Sequence, residues 1–520
     1  MIKISKLLCM AICICIAFTM LLTGCTGPDT SSESTTGSQS TAGNTAAVET
    51  KPELEPYEVV WYYCGNGAEP NEKLVEDEIG KYLKDKINTT VDIVTFTIGE
   101  YAQKVQTIIS SGEKADLVFS CSWLLTYLDS ARNGMFVEIT DDMLDKCAPH
   151  AKEVLAEKWL PGVKVDGKLY HLPCNKEVGA QGGMLLNKSL VEKYKFDLST
   201  IKTYEDLTPM LQTIKDNEPG IYPLGTCAGD TCNQLIGCYG NWSGNYYYIT
   251  MPLNGTKWIS ALEMPEVKNI LKAAKKFNDA GFVRKDAVTV GDVTPDLKAG
   301  KVFATHAQLK PGKDAEMKNT TPDVQWVQVG LTDCVIRSND VTGSMMAIPK
   351  TCEDPERVLM FYDYFYHDKN LLTLVNYGIE NLHYVKVDDK TIDYAPATEN
   401  RAELGWRPPH SLWMVGDQFK NYLLKSEDPN KYANLTNFNT KCKPFGDSLG
   451  FNFDPKPIQN TWDKLNAAQA NEYTLLLLGV EDDVDAMAAK QLKIWNDAGL
   501  QEVLAEYNKQ YEKFVAAKKK

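Results

Sequence analysis

An alternation of strand-like and helix-like segments between residues 57 and 120 places the strongest limit on the fold of this chain. Val59–Cys64 is a short β-rich run that ends at a Gly-Asn-Gly loop signal. Segments with apolar residues at helical spacing follow at 71–88 and 101–112, and each leads into another strand-like run, at 91–97 and 116–120. Because such connections are right-handed crossovers between parallel strands, the sequence predicts an α/β fold with a parallel sheet.

The ends of these strands predict the position of a binding site. Ligands of open α/β sheets bind beyond the carboxyl ends of the strands. In this stretch those ends fall at residues 65–67 and 120–123. We therefore predict that Asn66, Ser122 and Trp123 line a ligand-binding cleft.

Aromatic residues in polar, glycine-rich surroundings indicate the kind of ligand. Such residues include Trp123, Trp242, Tyr247, Trp406 and Trp413. Pyranose rings present apolar faces that stack on indole and phenol rings, while their hydroxyl groups bond to Asn, Asp and amides. We predict that several of these residues contact a sugar, Trp123 and Trp406 first of all. The alternative for each one is a place in the core or at the interface between lobes.

The start of the chain has the pattern of an export signal. Two lysines precede the apolar run Leu7–Leu22, which ends at Leu-Thr-Gly-Cys. This ending resembles a bacterial lipobox, so we expect residues 1–24 to be removed and Cys25 to carry a lipid. Residues 25–56, rich in Ser, Thr, Gly and Ala, should then form a flexible linker. A membrane-spanning helix is disfavoured because the run would cover about 24 Å of roughly 30 Å of hydrocarbon.

Charge and cysteine content exclude several classes of protein. The formal net charge of −14 argues against binding of nucleic acid or of an anionic membrane surface by the body of the chain. Ten cysteines would remain after Cys25, few for a disulfide scaffold of this length. Cys227, Cys232 and Cys238 cluster without the spacing of a zinc site, which favours a local disulfide or buried free thiols over a metal.

A passage near residue 170 resembles a known family. Asp166–Pro173 (DGKLYHLP), followed by Gly183–Leu190, is similar to a passage of the extracellular solute-binding proteins of ABC importers, the family that includes the maltodextrin binders. Other stretches are similar and occur in the same order, namely 101–104, 111–113, 116–119, 299–304, 310–312 and 348–351. Two later stretches, 377–384 and 449–454, resemble a long-chain subgroup of lipoprotein binders found mostly in Gram-positive bacteria.

The resemblance implies a two-lobed fold of the periplasmic-binding-protein type, with a largely parallel sheet and flanking helices in each lobe and a cleft at the hinge. The family order places lobe one at 57–172 and 342–383, and lobe two at 173–341 and 384–520. It implies that the chain captures a small solute, which the aromatic residues indicate to be an oligosaccharide, and delivers it to ABC permease subunits by hinge closure. We expect a monomer without a cofactor, anchored by its lipid at the extracellular face of the cytoplasmic membrane.

Two other functional classes stay open. Gly446–Leu449 spells the motif of GDSL hydrolases, but it lies late and no histidine follows His410 to activate Ser448, so a polar turn is favoured. A glycoside hydrolase needs two carboxyl groups at the right separation. Glu380 is the acid that we consider for such catalysis, although a role in capping or in a hydrogen bond across the lobes is favoured. We include Glu380 among the ligand-binding candidates. A sensor or adhesion lipoprotein of the same fold would bind without transport.

Overall fold

Strands and helices alternate along the described part of the chain. The computed structural model describes residues 54–65, 67–156, 159–242, 249–395, 404–406, 412–468, 471–480 and 482–518. The strands are β1 (Tyr57–Gly65), β2 (Thr89–Thr97), β3 (Leu117–Phe119), β4 (His171–Pro173), β5 (Ala180–Asn187), β6 (Tyr222–Gly225), β7 (Gly240–Trp242), β8 (Ile249–Pro252), β9 (Ile259–Ser260), β10 (Val302–Leu309), β11 (Trp326–Ile336), β12 (Met345–Ala347), β13 (Tyr384–Lys386), β14 (Thr391–Tyr394), β15 (Leu423–Leu424) and β16 (Lys443–Pro444). The helices are α1 (Glu72–Ile87), α2 (Ile98–Ser111), α3 (Tyr127–Arg132), α4 (Asp141–Cys147), α5 (Pro149–Leu155), α6 (Leu160–Val163), α7 (Lys188–Tyr194), α8 (Thr208–Asn217), α9 (Asn233–Ile236), α10 (Pro265–Asp279), α11 (Thr294–Lys298), α12 (Lys313–Glu316), α13 (Ser338–Val341), α14 (Pro355–His367), α15 (Lys369–Tyr377), α16 (Lys431–Lys441), α17 (Gln459–Ala467), α18 (Asn471–Leu477), α19 (Val484–Asp497) and α20 (Leu500–Lys518).

The alternation predicted at the start of the chain forms most of a five-stranded sheet. Strand β1 pairs in parallel with β2 on one side and with β3 on the other. Helices α1 and α2 connect these strands, and α2 ends at Gly112, whose φ of 80° is a left-handed conformation that glycine adopts without strain. The complete order is β2-β1-β3-β12-β4. The predicted α/β class is confirmed.

A second five-stranded sheet has the order β16-β11-β5-β10-β6. Strand β5 is antiparallel to both of its neighbours, and β12 is antiparallel to both of its neighbours in the first sheet. In each sheet the other four strands run in one direction, so each sheet is largely parallel, as predicted, with one reversed strand. The path of the chain explains why β5 and β12 are reversed. Both strands directly follow segments that cross between the sheets, 174–179 and 337–344. Each of these strands starts at the edge where its neighbours end.

Each five-stranded sheet packs on its own hydrophobic cluster. The first cluster contains Trp61 and Phe361, and the second contains Trp258 and Phe277. Both lie within the compact unit Leu54–Lys520, so the two cores are built from residues at and after Leu54. Two small three-stranded sheets, β7-β8-β9 and β13-β14-β15, accompany them.

The late part of the chain does not stay with the second sheet. Residues from 451 to 511 contribute to the second cluster, whereas Trp406, Met414 and Val415 are buried in the first. The backbone N–H of Asn71 also donates to the carbonyl of Gly405 at 2.7 Å. The range 384–520, expected as a whole in lobe two, therefore includes a return to the first sheet.

In the described part of the chain, no helix combines the length and the apolar character needed to cross a membrane. The ten described cysteines are all free thiols, and Cys227, Cys232 and Cys238 are buried. The Cys232 thiol donates to the carbonyl of Leu477 at 3.4 Å. The cluster thus takes the form of buried thiols, one of the two alternatives that its sequence favours.

Candidate functional site

A cavity of about 630 Å³ lies where strand ends from the two five-stranded sheets meet. Its walls come from segments directly after β3, β6, β10 and β11 and from the two crossing segments. Because ligands of open α/β sheets bind beyond strand ends of this kind, this cavity is the candidate site. The lining residues include Ser122, Trp123, Lys176, Glu177, Asp230, Asn233, Gln234, Trp242, Gln308, Lys310, Lys313, Glu316, Arg337, Asp340 and Trp413.

Two tryptophans form an aromatic wall. Trp123 follows β3 and is 39% exposed, and its ring centroid lies 6.3 Å from that of Trp413. The indole N–H of Trp123 donates to the carbonyl of Gly343 at 2.8 Å, which anchors the ring to the crossing segment 337–344. Since its polar atom is bonded within the protein, the exposed surface that Trp123 offers to a ligand is mainly apolar.

Arg337 anchors the wall formed by the second sheet. Its guanidinium donates to the two carboxylate oxygens of Asp340 at 2.6 and 2.8 Å. It also donates to the carbonyl of Gly237 at 2.6 Å and to Oε1 of Gln308 at 2.7 Å. The bidentate pair neutralises the charge of the arginine, and the amide of Gln308 is held in a fixed orientation.

Lys310 joins two carboxylates of the cavity. Its Nζ lies 2.9 Å from Glu177 Oε1 and 2.8 Å from Glu316 Oε2, and Lys313 pairs with the other oxygen of Glu316 at 2.8 Å. Burial opposes the charge of Lys310, but the two carboxylates outweigh it and raise the pKa of the lysine. Burial likewise opposes the charge of Glu316, and Lys310 and Lys313 outweigh it and lower its pKa to about 2. Lys310 and Glu316 are therefore ionised at neutral pH, and the ion pairs offset one another's charges within the cavity.

Asp230 has a different environment from these paired acids. Burial, reinforced by the negative charge of Asp292, raises its pKa to about 6. Its Oδ1 accepts one long hydrogen bond, 3.4 Å, from the amide of Gln234. Next to it along the cavity, Oδ1 of Asn233 is buried and has no hydrogen-bond partner among the described residues. A carboxyl group and an amide in this state can bond to the hydroxyl groups of a ligand.

A second cavity of about 220 Å³ adjoins the first and shares Lys310, Glu316 and Trp413 with it. Most of its apolar lining comes from Tyr377, Tyr394, Leu412, Leu424 and Leu435. Gln418 also lines it, and within the described part of the chain the buried Oε1 of this residue has no hydrogen-bond partner. Trp413 therefore borders both cavities, which together form one extended site.

Half of the predicted ligand-binding residues lie at this site. The candidate cavity is lined by Ser122, Trp123, Trp242 and Trp413. Trp242 is 3% exposed and its indole N–H donates to the carbonyl of Gly237 at 2.9 Å, so it contributes only an edge. Three predicted residues lie outside the described residues, namely Cys25, Asn66 and Tyr247.

Trp406 and Glu380 do not line the cavity, contrary to the prediction. Gly405, with a φ of 73°, turns the chain so that Trp406 enters the first hydrophobic cluster, where its indole N–H donates to the carbonyl of Val375 at 3.0 Å. Glu380 follows α15 and pairs with Lys386 at 2.9 Å on a part-exposed surface. The aromatic pattern alone does not separate a cleft residue from a core residue, because a glycine-rich stretch can also direct a ring into the core.

Ser448 of the GDSL sequence is part of a buried turn. It is 1% exposed, and its hydroxyl donates to the carbonyl of Phe445 at 2.6 Å and accepts from the amide of Asn241 at 2.9 Å. A nucleophilic serine needs a base within hydrogen-bond reach, whereas both partners here are amide groups. The favoured interpretation as a polar turn agrees with this arrangement.

The sequence prediction missed the charged residues of the cavity. Lys310 and Asp230 each follow the carboxyl end of a strand, β10 and β6, which is the signal that identified Ser122 and Trp123. Glu177 gave no such signal. It lies in a crossing segment, and its ion pair with Lys310 joins residues 133 positions apart.

Comparison with known proteins gives consistent matches. Residues 67–370, more than half of the chain, match the family described as bacterial extracellular solute-binding protein, and residues 447–516 match a domain of unknown function, DUF3502. A carbohydrate ABC transporter substrate-binding protein of Streptococcus pneumoniae serotype 4 is 23% identical over 480 residues, covering 90% of this chain and 92% of that protein. The polygalacturonan/rhamnogalacturonan-binding protein YtcQ of Bacillus subtilis is 21% identical over 522 residues, covering 95% and 96%.

A solved structure shows the same architecture. The N-glycan transport solute binding protein NgtS from Streptococcus pneumoniae superimposes with a TM-score of 0.80 at 21% identity, covering 89% of this chain and 100% of that one. At this identity the likeness establishes the fold, which is the two-lobed α/β architecture that the sequence predicts.

Proposed function

Because the chain belongs to the family of bacterial extracellular solute-binding proteins, we propose that it captures an oligosaccharide outside the cell and delivers it to the permease of an ABC importer. The observation that carries the proposal is the candidate cavity, which has an aromatic wall, polar groups with unused bonding capacity and a position between the two sheets. Two similar proteins whose names state a carbohydrate or polysaccharide ligand span nearly the whole chain, which supports this ligand class.

The charges of the cavity favour an uncharged ligand. Lys310, Lys313 and Arg337 are each paired with a carboxylate of the cavity itself. Lys176 donates to the carbonyl of Glu177 at 2.8 Å and lies 3.9 Å from its carboxylate. A ligand carboxylate or phosphate would have to displace one of these internal partners. A neutral sugar needs no such exchange.

The size of the site favours more than one sugar unit. Pockets of about 300–1,000 Å³ bury ligands of drug size, so the 630 Å³ cavity has room for an oligosaccharide. The adjoining cavity extends this space past Trp413 toward Tyr377 and Tyr394. We assign stacking to Trp123 and Trp413, hydrogen bonding to Asp230, Asn233 and Gln308, and edge contacts to the predicted residues Ser122 and Trp242.

Closure of the lobes is the proposed mechanism of capture. The two sheets are joined by the crossing segments 174–179 and 337–344 and again between Val415 and β16, and the first two segments contribute residues to the cavity. A ligand that touches Trp123 from the first sheet and Gln308 from the second gains both sets of contacts only when the lobes approach, which shifts the population to the closed form. We propose the lobe limits 57–172 with 342–383 and 173–341 with 384–520, amended by the placement of Trp406, Met414 and Val415 in lobe one.

We further propose that the protein is a monomeric lipoprotein at the outer face of the cytoplasmic membrane. The family supports an extracellular location. The lipid on Cys25 rests on the Leu-Thr-Gly-Cys sequence. We also propose that the protein binds its ligand without converting it to a product. Glu177 and Glu316 are held as carboxylates by Lys310, which leaves neither poised as a general acid.

A thermal-shift screen tests the proposed ligand class. The protein without residues 1–25 is melted with monosaccharides, oligosaccharides, peptides and amino acids, each over a range of concentrations. A ligand that binds the folded form raises the melting temperature as its concentration exceeds the dissociation constant. We expect oligosaccharides to give the largest shifts. Shifts with peptides or amino acids and none with any saccharide would contradict the proposal.

A further inference from the structure

We propose that His150, Asp363 and His367 form a binding site for a divalent transition metal ion, Zn²⁺ being the best match. One donor atom from each residue lies within 4.8 Å of the other two. The three residues belong to helices α5 and α14 and line neither of the two joined cavities. The site is therefore separate from the proposed sugar site and does not depend on it.

Two packed helices bring the three side chains together. Asp363 and His367 are four residues apart on α14, so they share one face of that helix, and His150 lies in the first turn of α5. His150 Nδ1 is 2.6 Å from Asp363 Oδ2, and His367 Nδ1 is 3.6 Å from the same oxygen. Tetrahedral Zn²⁺ with bonds of about 2.0–2.2 Å separates its ligand atoms by about 3.3 Å. That separation lies between the two distances, so each nitrogen is already near the required distance from the carboxylate, and the rings must turn to direct both nitrogens at one ion.

Asp363 is held in the orientation that a metal ligand needs. Its side chain is 7% exposed, and its Oδ1 accepts the backbone N–H of Ala151 at 2.8 Å. This bond leaves Oδ2 directed toward both histidines. Outer hydrogen bonds of this kind orient ligating carboxylates in metal sites. The carboxylate is also fixed relative to α5, so an ion bound here would connect α5 to α14.

The two imidazole rings are accessible and face each other. They are stacked with centroids 3.7 Å apart and planes inclined by 26°, and their side chains are 48% exposed for His150 and 32% for His367. Nδ1 of His150 donates to the carboxylate of Asp363 at 2.6 Å, and Nδ1 of His367 donates to the backbone carbonyl of Asp363 at 3.0 Å. Coordination through Nδ1 moves that proton to Nε2 and turns the ring out of the stack. Two imidazoles and one carboxylate are ligands that Zn²⁺ prefers, with a fourth position left to water.

Calorimetric titration with ZnCl₂ tests the site. The protein without residues 1–25 is used, prepared without a histidine tag, since its fold is built from Leu54 onward. We expect one Zn²⁺ per chain and a melting temperature that rises with the Zn²⁺ concentration. The variants His150→Gln and His367→Gln keep a hydrogen-bonding side chain but remove a ligand. The loss of a residue that only hydrogen-bonds to a metal ligand lowers metal affinity about 10- to 100-fold. Each variant loses a ligand itself, so it should bind Zn²⁺ at least about tenfold more weakly than the wild type.

Two controls separate this site from general surface binding. Glu192→Gln removes an exposed carboxylate on α7 and should leave the titration unchanged. The absorption spectrum of the Co²⁺-loaded protein should show a four-coordinate site that both histidine variants lose. The proposal is overturned if the wild type takes up no Zn²⁺, or if His150→Gln and His367→Gln bind it as the wild type does. Asp363 is left unchanged, since its substitution would also remove the acceptor for Ala151.

Discussion

Replacing Trp123 with alanine tests the aromatic wall of the candidate cavity. Trp123 is 39% exposed, which for a side chain of about 250 Å² leaves about 100 Å² that a sugar ring can cover. At about 25 cal/mol per Å², this contact contributes about 2.5 kcal/mol to binding. Since about 1.4 kcal/mol corresponds to a factor of ten, Trp123→Ala should raise the dissociation constant by up to about 60-fold.

Isothermal titration with the oligosaccharide that gives the largest thermal shift measures this change. The fold should survive in Trp123→Ala, because the ring is part exposed and its contacts with Phe119 and Trp413 lie at the edge of the core. Trp406→Phe is the matched control, since Trp406 is buried in the first cluster and should affect the melting temperature rather than the affinity. An affinity of Trp123→Ala within about twofold of the wild type would remove Trp123 from the site and refute the estimate from its exposed area.

Salt concentration, pH and the lipid anchor provide three further tests. Affinity for the oligosaccharide should change by less than about twofold between about 50 and 500 mM NaCl, because Lys310, Lys313 and Arg337 are already paired with carboxylates of the cavity. A collapse of affinity in titrations at high salt would indicate a charged ligand. Asp230→Asn should raise the melting temperature more at pH 8 than at pH 4, because burial raises the pKa of Asp230 to about 6 in the folded protein. The wild type therefore loses stability as the pH rises from the unfolded pKa of about 4 through about 6, and the asparagine variant avoids this loss. An equal shift at both pH values in melting curves would contradict this. Cys25→Ala should move the protein from the membrane pellet to the soluble fraction, since the lipid supplies the membrane affinity; unchanged pelleting after a high-salt wash would contradict the lipoprotein assignment.

The sequence predicted the parts of the fold and site that depend on local patterns. The helices and strands between 57 and 120 are specified by apolar spacing and by stops such as Gly112, so their order and parallel pairing could be inferred. The placement of Trp123 followed because a parallel strand fixes the side of the sheet on which its carboxyl end lies. The reversal of β5 and β12 could not be inferred in the same way. It depends on where the chain crosses between sheets, which has no local signature at β5 or β12.

Residues whose environment is set by distant contacts were beyond the sequence patterns. Trp406 and Trp413 lie seven positions apart in similar surroundings, yet one ring enters the core beside Val375 and the other borders both cavities. The pairing of Lys310 with Glu177 depends on the approach of a strand end to a crossing segment. The same applies to the group of His150 with Asp363, which arises only when α5 packs on α14.

Mass spectrometry of the captured ligand shows whether this chain binds an oligosaccharide and leaves it intact. The purified protein without residues 1–25 is incubated with a mixture of oligosaccharides, separated from unbound material, denatured, and the released compounds are identified and counted per chain. We predict about one intact oligosaccharide per chain, unchanged in length after long incubation, as expected for one site of high affinity. Recovery of no oligosaccharide, or of shortened products in large molar excess over the protein, would contradict the claim that this chain captures an oligosaccharide without consuming it.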